Sequence, residues 1–252
     1  MGSKGGEISM KTVVNLENVS LHFPRSKGLI NGTIGLLKGN DVKGMGKFTA
    51  LDDLNLQVKQ GEVIGVIGRN GSGKSTMLRV MAGIYRPDQG IVEVQGRPTL
   101  LAGVSVGLNE NLTGRENVHL YGSILGHPKE TIDGMIGGIL EFSELDEFID
   151  QPLRTYSSGM KARLGLAIAS AVEPDILLID EVLGVGDPQF REKSKKRILN
   201  LVKTTSTVVI VSHSFALMKE ICDRLILIHK GKIHTIGDPD EVISAYYEVT
   251  NS

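Results

Sequence analysis

Residues 68–76 read Gly-Arg-Asn-Gly-Ser-Gly-Lys-Ser-Thr, three glycines spaced through a segment that closes on a lysine and two hydroxyls. Glycine at 68, 71 and 73 lets the backbone turn sharply and aim its N–H groups inward. Such a ring of donors, with an ammonium beside it, suits a polyphosphate. Lys74 is expected to reach the β- and γ-phosphates, and Ser75 to offer its hydroxyl to Mg²⁺. The flanks fit this chemistry. Glu62 to Ile67 is an apolar run suited to a buried strand, and Met77 to Ala82 has helical composition. A helix starting near Lys74 adds the positive end of its dipole. Gly68, Arg69, Asn70, Gly71, Ser72, Gly73, Lys74, Ser75 and Thr76 are therefore expected to cradle a nucleoside triphosphate.

Other positions complete a hydrolytic site. Ile176-Leu177-Leu178-Ile179 is followed by Asp180-Glu181, two acids at the end of an apolar strand. In wound α/β sheets, ligands lie at the carboxyl ends of strands. Asp180 there suits a Mg²⁺ ligand, and Glu181 suits the orientation or activation of an attacking water. Val208 to Val211 is a similar strand that leads to His213, which falls on the same sheet edge and is placed to hydrogen-bond the γ-phosphate or the water. Tyr156-Ser157-Ser158-Gly159-Met160 precedes a helix rich in small residues, and a Ser/Gly helix start is a second anion site. One nucleotide has no need of two cradles, so this one is expected to close on the nucleotide of another subunit.

These residues need a sheet to hold them. Thr12 to Phe23 and Ala50 to Val58 alternate between apolar and polar residues and read as strands. Ile91 to Leu101 gives more strand. Asn117 to Phe148 is helical in period, with a break at Gly126-His127-Pro128, and Met160 to Val172 is a further helix. Strand signals at 176–179, 207–211 and 225–229, the first two followed by helical stretches, predict an α/β domain with a mostly parallel sheet. Lys and Arg total 28 against 29 Asp and Glu, a balance that argues against a general nucleic-acid binder. The single cysteine, Cys222, allows no internal disulfide and sits in an apolar stretch, where it reads as a small core residue in a reducing compartment. No apolar run approaches the roughly 18–20 residues needed to span a bilayer.

In chain order the motifs are GRNGSGKST, YSSGMKARLGLAIA, ILLIDE, VGD and SH. Their order and spacing resemble the ATP-binding cassette ATPases over nearly all of residues 12–240. The resemblance implies a P-loop NTPase fold: a RecA-like, mostly parallel sheet with an N-terminal antiparallel β region and a helical subdomain. The implied division is a flexible tail at 1–11, an ATPase core at 12–103 and 159–252, and a helical subdomain at 104–158. Carried over, Ser157, Ser158 and Gly159 belong to the signature that meets the partner's nucleotide, and Asp187 to the loop crossing the dimer interface. Glu181 matches the catalytic glutamate, His213 the switch histidine, and Ser75 and Asp180 the Mg²⁺ ligands. Leu112-Thr113-Gly114-Arg115-Glu116-Asn117-Val118, the YSSGM signature and Val185-Gly186-Asp187-Pro188-Gln189-Phe190 look like the ATPase subunits of bacterial exporters of O-antigen, capsule or teichoic acid. That implies a homodimer that uses ATP and Mg²⁺. It would pair with a separate transmembrane permease that handles a lipid-linked glycan, and would lie peripherally on the cytoplasmic face of the cytoplasmic membrane. The rival readings are a drug or lipid exporter of related type and a regulatory cassette outside transport.

The chain departs from the family pattern at several points. Ser158 and Met160 replace a glycine and a glutamine of the common signature. The glutamine expected ahead of the helical region is missing, its place falling near Val104. Phe23 is expected to stack on adenine, with Phe48 as its competitor. Residues 24–47 form a glycine-rich insertion with five basic residues, one acid and an apolar centre at Leu29, Ile30, Leu36 and Leu37. That composition suits either a solvated loop or a segment reaching a membrane surface or an anionic ligand.

Overall fold

Two sheets and a helical cluster make up the chain in the computed structural model, which describes residues 11–24, 46–102, 108–124, 126–171, 174–180, 187–205 and 207–251. Most of the basic insertion, the Val104 position of the missing glutamine, and Glu181 lie outside the described residues, as does the tail up to residue 10.

The alternating segments form an antiparallel sheet in the order β2-β1-β4, made of β1 (Thr12–Pro24), β2 (Lys47–Lys59) and β4 (Gln89–Val94). The first segment, expected as one or two strands, is a single strand with register shifts near Asn18 and Leu21. The six-stranded sheet has the order β5-β6-β7-β3-β8-β9. Its members are β3 (Val63–Ile67), β5 (Pro98–Ala102), β6 (Ile176–Asp180), β7 (Thr207–Val211), β8 (Arg224–His229) and β9 (Lys232–Gly237). The first five in that order are parallel to one another, and β9 pairs antiparallel with β8. The continuous strand signal at 91–101 divides between the two sheets, because Gly96 at φ 101° turns the chain between β4 and β5.

The parallel strands are apolar throughout because both of their faces are covered. On one face Ile64, Val66, Leu178, Val209, Val211 and Ile226 meet the antiparallel sheet and α1 (Lys74–Met81). On the other, Leu177, Ile179, Val208 and Ile210 meet α5 (Pro188–Thr204), α6 (Phe215–Ile221) and α7 (Pro239–Asn251) through Phe190, Met218 and Val242. Strand β9 and helix α7 were not among the elements expected from the sequence. A third apolar cluster joins α2 (Gly114–Ile124), α3 (Lys129–Ser143) and one face of α4 (Ser158–Ala171). Helix α4 straddles two clusters: Leu164 and Ile168 face the helical group, Leu166 and Ala169 the sheet.

Residues 109–113, just ahead of α2, are held by a buried side chain. Asn117 is fully buried; its amide donates to the carbonyls of Asn109, Leu112 and Thr113, and its oxygen accepts from the Asn109 N–H. A reciprocal pairing of Thr113 and Glu116 starts α2. Leu153 N–H and Arg154 N–H then donate to the carbonyls of Leu112 and Glu110, stitching this segment to the turn before α4.

Asn117→Ala is expected to destabilise the chain by about 2–4 kcal/mol, since it leaves several buried backbone groups without partners. A urea midpoint unchanged from wild type would show that the loop needs no such anchor. Burial also pushes the Cys222 thiol up to about 12. Its protonated form is thus favoured by folding, and that contribution fades as pH rises from the unfolded thiol value towards 12. At pH 8 iodoacetamide is expected to label Cys222 in urea but not in the native chain, and rapid native labelling would contradict its burial.

Candidate nucleotide site

Three of the sequence-predicted groups, Gly68–Thr76, Asp180 and His213, converge on one edge of the parallel sheet. Strands β6, β7 and β3 are neighbours, with Asp180 level with Val211, and Val211 level with Val66. The segment after β3, the end of β6 and the segment after β7 therefore leave the sheet side by side. They carry Gly68–Thr76, Asp180 and His213 respectively. His213 is exposed two residues beyond β7, just before Ser214, whose hydroxyl accepts from the Leu217 N–H to start α6.

The phosphate loop is shaped by close backbone approach. Gly68 has φ 151°, and a side chain there would lie 2.2 Å from the Ile228 carbonyl oxygen; Gly73 has φ 112°, and one there would lie 2.6 Å from the Ala50 carbonyl oxygen. Either position excludes any other residue. The β8–β9 turn adds support. His229 pairs with Lys232 around the two left-handed residues Lys230 and Gly231, a tight hairpin. The Gly231 N–H donates to the Ser72 carbonyl, and the Gly231 carbonyl accepts from the Asp52 N–H, both at 2.9 Å. This brace escaped the sequence reading; the Lys-Gly pair inside an alternating segment was the signal available for it.

Lys74 is buried, and its ammonium donates to the carbonyls of Gly68 at 2.8 Å and Arg69 at 3.2 Å. Ser75 Oγ donates to Asp180 Oδ1 at 3.0 Å, across a chain separation of 105 residues. Arg79 approaches the other Asp180 oxygen at 4.0 Å. A cavity of about 340 Å³ opens here, lined by Phe48, Asn70, Gly71, Gly73, Lys74, Ser75 and Thr76.

The two aromatics part company. Phe48 lines that cavity, 43% exposed. Phe23, the first choice from sequence, is partly buried against the core beneath the antiparallel sheet, its ring 5.5 Å from Tyr85 in an edge contact. The two pair across β1 and β2, so their spacing along the chain did not separate them.

The second cradle stands at the start of α4. Ser157 Oγ accepts from the Met160 N–H at 3.1 Å, and Ser157 and Ser158 are exposed. The position of a side chain at Gly159 meets only Ser157 Oγ, at 3.8 Å. Asp187 caps α5, accepting from the Phe190 N–H at 3.0 Å. That amide and the Arg163 guanidinium hold its carboxyl below the usual carboxylate range.

A glycine-braced loop opening a helix, with a strand-end acid against its serine, is the site of a P-loop nucleoside triphosphatase. The chain belongs to the ABC transporter family, whose description, "ABC transporter", matches residues 51–184. Its activity is ATP hydrolysis. It is 39% identical over 247 residues to the O-antigen export system ATP-binding protein RfbB of Klebsiella pneumoniae, covering 94% of this chain and 98% of that one. It is 44% identical over 204 residues to the teichoic acids export ATP-binding protein TagH of Shouchella clausii, covering 81% of this chain and 56% of that one. It thus spans about half the length of that TagH. A solved ATP-binding subunit of an ABC transporter superposes with a TM-score of 0.71 at 20% identity over 94% of both chains. A dimeric post-hydrolysis cassette bound to ADP and Pi gives 0.69 at 22% identity over 90% of this chain and 98% of that one. These two likenesses speak to the fold.

Gly73→Ala is expected to weaken binding of a fluorescent ATP analogue and to lower stability by about 1–3 kcal/mol, through left-handed strain and collision with Ala50. Unchanged affinity together with an unchanged melt would mean that the loop does not rest on β2.

Proposed function

We propose that this chain is the ATP-hydrolysing subunit of an exporter of a lipid-linked polysaccharide, O-antigen, capsule or teichoic acid in kind. The observation that carries the catalytic part is the Ser75–Asp180 contact at the foot of the phosphate loop. The near full-length likeness to an O-antigen export ATP-binding protein supports the transport part. In this reading the chain works as a homodimer beneath a separate transmembrane permease, on the cytoplasmic face of the membrane. Among the described residues no helix is long and apolar enough to cross a membrane.

Within the site, residues 68–76 hold the triphosphate, with Lys74 exchanging its two loop carbonyls for phosphate oxygens. The donor pair of Ser75 and Asp180 suits Mg²⁺: a hydroxyl and a carboxylate oxygen, both hard ligands, already side by side. Mg²⁺ held there by Ser75 and Asp180 would offset charge on the phosphates. Glu181 takes the proton from the attacking water, and His213 holds the γ-phosphate or that water from the neighbouring strand end. Ser157, Ser158 and Gly159 close on the nucleotide of the second copy, with Asp187 at the seam. Phe48 takes the adenine, since it lines the phosphate cavity while Phe23 is engaged by Tyr85.

Glu181→Gln is expected to keep ATP affinity, to lose roughly 10²–10⁴-fold in turnover, and to dimerise when ATP is added. Wild-type turnover in that variant would remove Glu181 from its role, and an ATP-independent mass in sedimentation would count against the shared site. Phe48→Ala is expected to weaken ATP binding about tenfold, by loss of base stacking. Phe23→Ala is expected to lower the melting temperature at unchanged affinity. The reverse pattern would restore Phe23 as the adenine partner. Replacing residues 28–44 with a short Gly-Ser turn tests the insertion: export lost with basal ATPase kept assigns it to substrate handling, and export kept removes it.

A further inference from the structure

Helix α4 and the start of α5 face different nucleotides under the shared-site reading, on which this inference rests. The first carries Ser157–Gly159 to the partner's nucleotide. The second follows in sequence on Asp180-Glu181, assigned to the chain's own. One side chain joins them. Arg163 lies four residues beyond Gly159 on α4, only 22% exposed. Its guanidinium donates through Nη2 to Asp187 Oδ2 and through Nη1 to Glu144 Oε2, the latter at 2.8 Å. The same group lies over the Phe190 ring, 4.7 Å from its centroid. Phe190 is almost fully buried and belongs to α5.

The contact is built from several sides. Glu144 ends α3 in a left-handed conformation, φ 58°. Its second oxygen accepts from Lys193 of α5 at 2.7 Å, and Lys193 also donates to the Glu141 carbonyl at 3.0 Å. Phe142 of α3 packs against Phe190 with centroids 5.5 Å apart. The ends of α3, α4 and α5 are thereby fastened around one guanidinium. Asp187 has one oxygen committed to its own helix and the other to Arg163, so its carboxylate has a single orientation. Isolated exposed ion pairs contribute little to stability. A planar fork shared by two carboxylates and seated on a buried ring instead fixes geometry.

We propose that Arg163 is a positioning residue for ATP hydrolysis, holding Asp187 and the signature end of α4 in one fixed relation so that the two halves of the shared site close together. It touches no nucleotide. It acts through Asp187, and Glu144 holds it in place.

The test is a double-mutant cycle on the full chain, reading ATP turnover, nucleotide affinity and melting temperature. Arg163→Gln is expected to lower kcat about tenfold, the scale of one charge-assisted hydrogen bond, with KM within about twofold of wild type because the phosphate loop is untouched. Asp187→Asn is expected to lower kcat similarly, and the double variant to be no worse than the poorer single one. Arg163→Lys, whose single point charge cannot bridge both carboxylates, is expected to fall between wild type and Arg163→Gln at a wild-type melting temperature. Wild-type kcat in Arg163→Gln, losses that multiply in the double variant, or a loss confined to KM would each overturn the proposal. If Arg163→Gln does not fold, Arg163→Lys carries the test, and full activity in it overturns the idea. ATP-driven dimers of Glu181→Gln separate the two readings. Their absence sinks the shared site. Their presence beside an unaffected Arg163→Gln sinks only the role of Arg163.

Discussion

A loop with left-handed glycines at 68, 71 and 73 has little side-chain surface with which to hold its own shape, so that shape comes from what it leans on. Here it leans on backbone. Ile228 of β8 stands against Gly68, Ala50 of β2 stands against Gly73, and the Gly231 amide reaches the Ser72 carbonyl. These supports come from two strands and a turn, in two different sheets. The antiparallel sheet therefore does more than cover one face of the parallel sheet: through β2 it forms a wall of the phosphate loop and supplies Phe48 at the cavity rim. The hairpin β8–β9 exists in the same sense to place Gly231. Lys74 and Ser75 can be aimed only once this frame is set, because both begin the helix that the loop delivers.

The chemistry was legible in the sequence where residue type and spacing are both demanded by the ligand. Gly68 to Thr76 could be assigned because few other uses combine those glycines with a lysine and a serine between a strand and a helix. Asp180 was legible because an acid ending an apolar strand has a fixed place at the sheet edge. The choice between Phe23 and Phe48 was not legible, since it depends on which ring the core takes up. The Tyr85 contact that engages Phe23 is a tertiary fact. The support from Gly231 was hidden for a similar reason: a two-residue turn can be read locally, but what its amide meets 159 positions away cannot. Strand β9 and helix α7 were not read from the sequence, although Pro239, Asp240 and Glu241 open α7.

The signature segment poses a different physical problem. An exposed helix start with two serines and an open glycine has its donors unspent, and within the described residues Ser157 turns its hydroxyl to its own helix. A cradle that faces outward can act only on something brought to it. The helix behind it is anchored in the opposite manner. Leu164 and Ile168 grip the helical cluster, and Leu166 and Ala169 grip the sheet. Movement of the helical group relative to the sheet is transmitted through α4, beside the direct contacts of α3 with α5. Lys161 is tied to Glu110 in the segment that follows the position of the absent glutamine, and Arg163 to the cap of α5. Contacts of this kind tie α4 to two neighbouring segments of the described chain. The charge pairs around α4 thus hold the first half of the helix between the segment at Glu110 and the start of α5, so that α4 cannot shift without disturbing both.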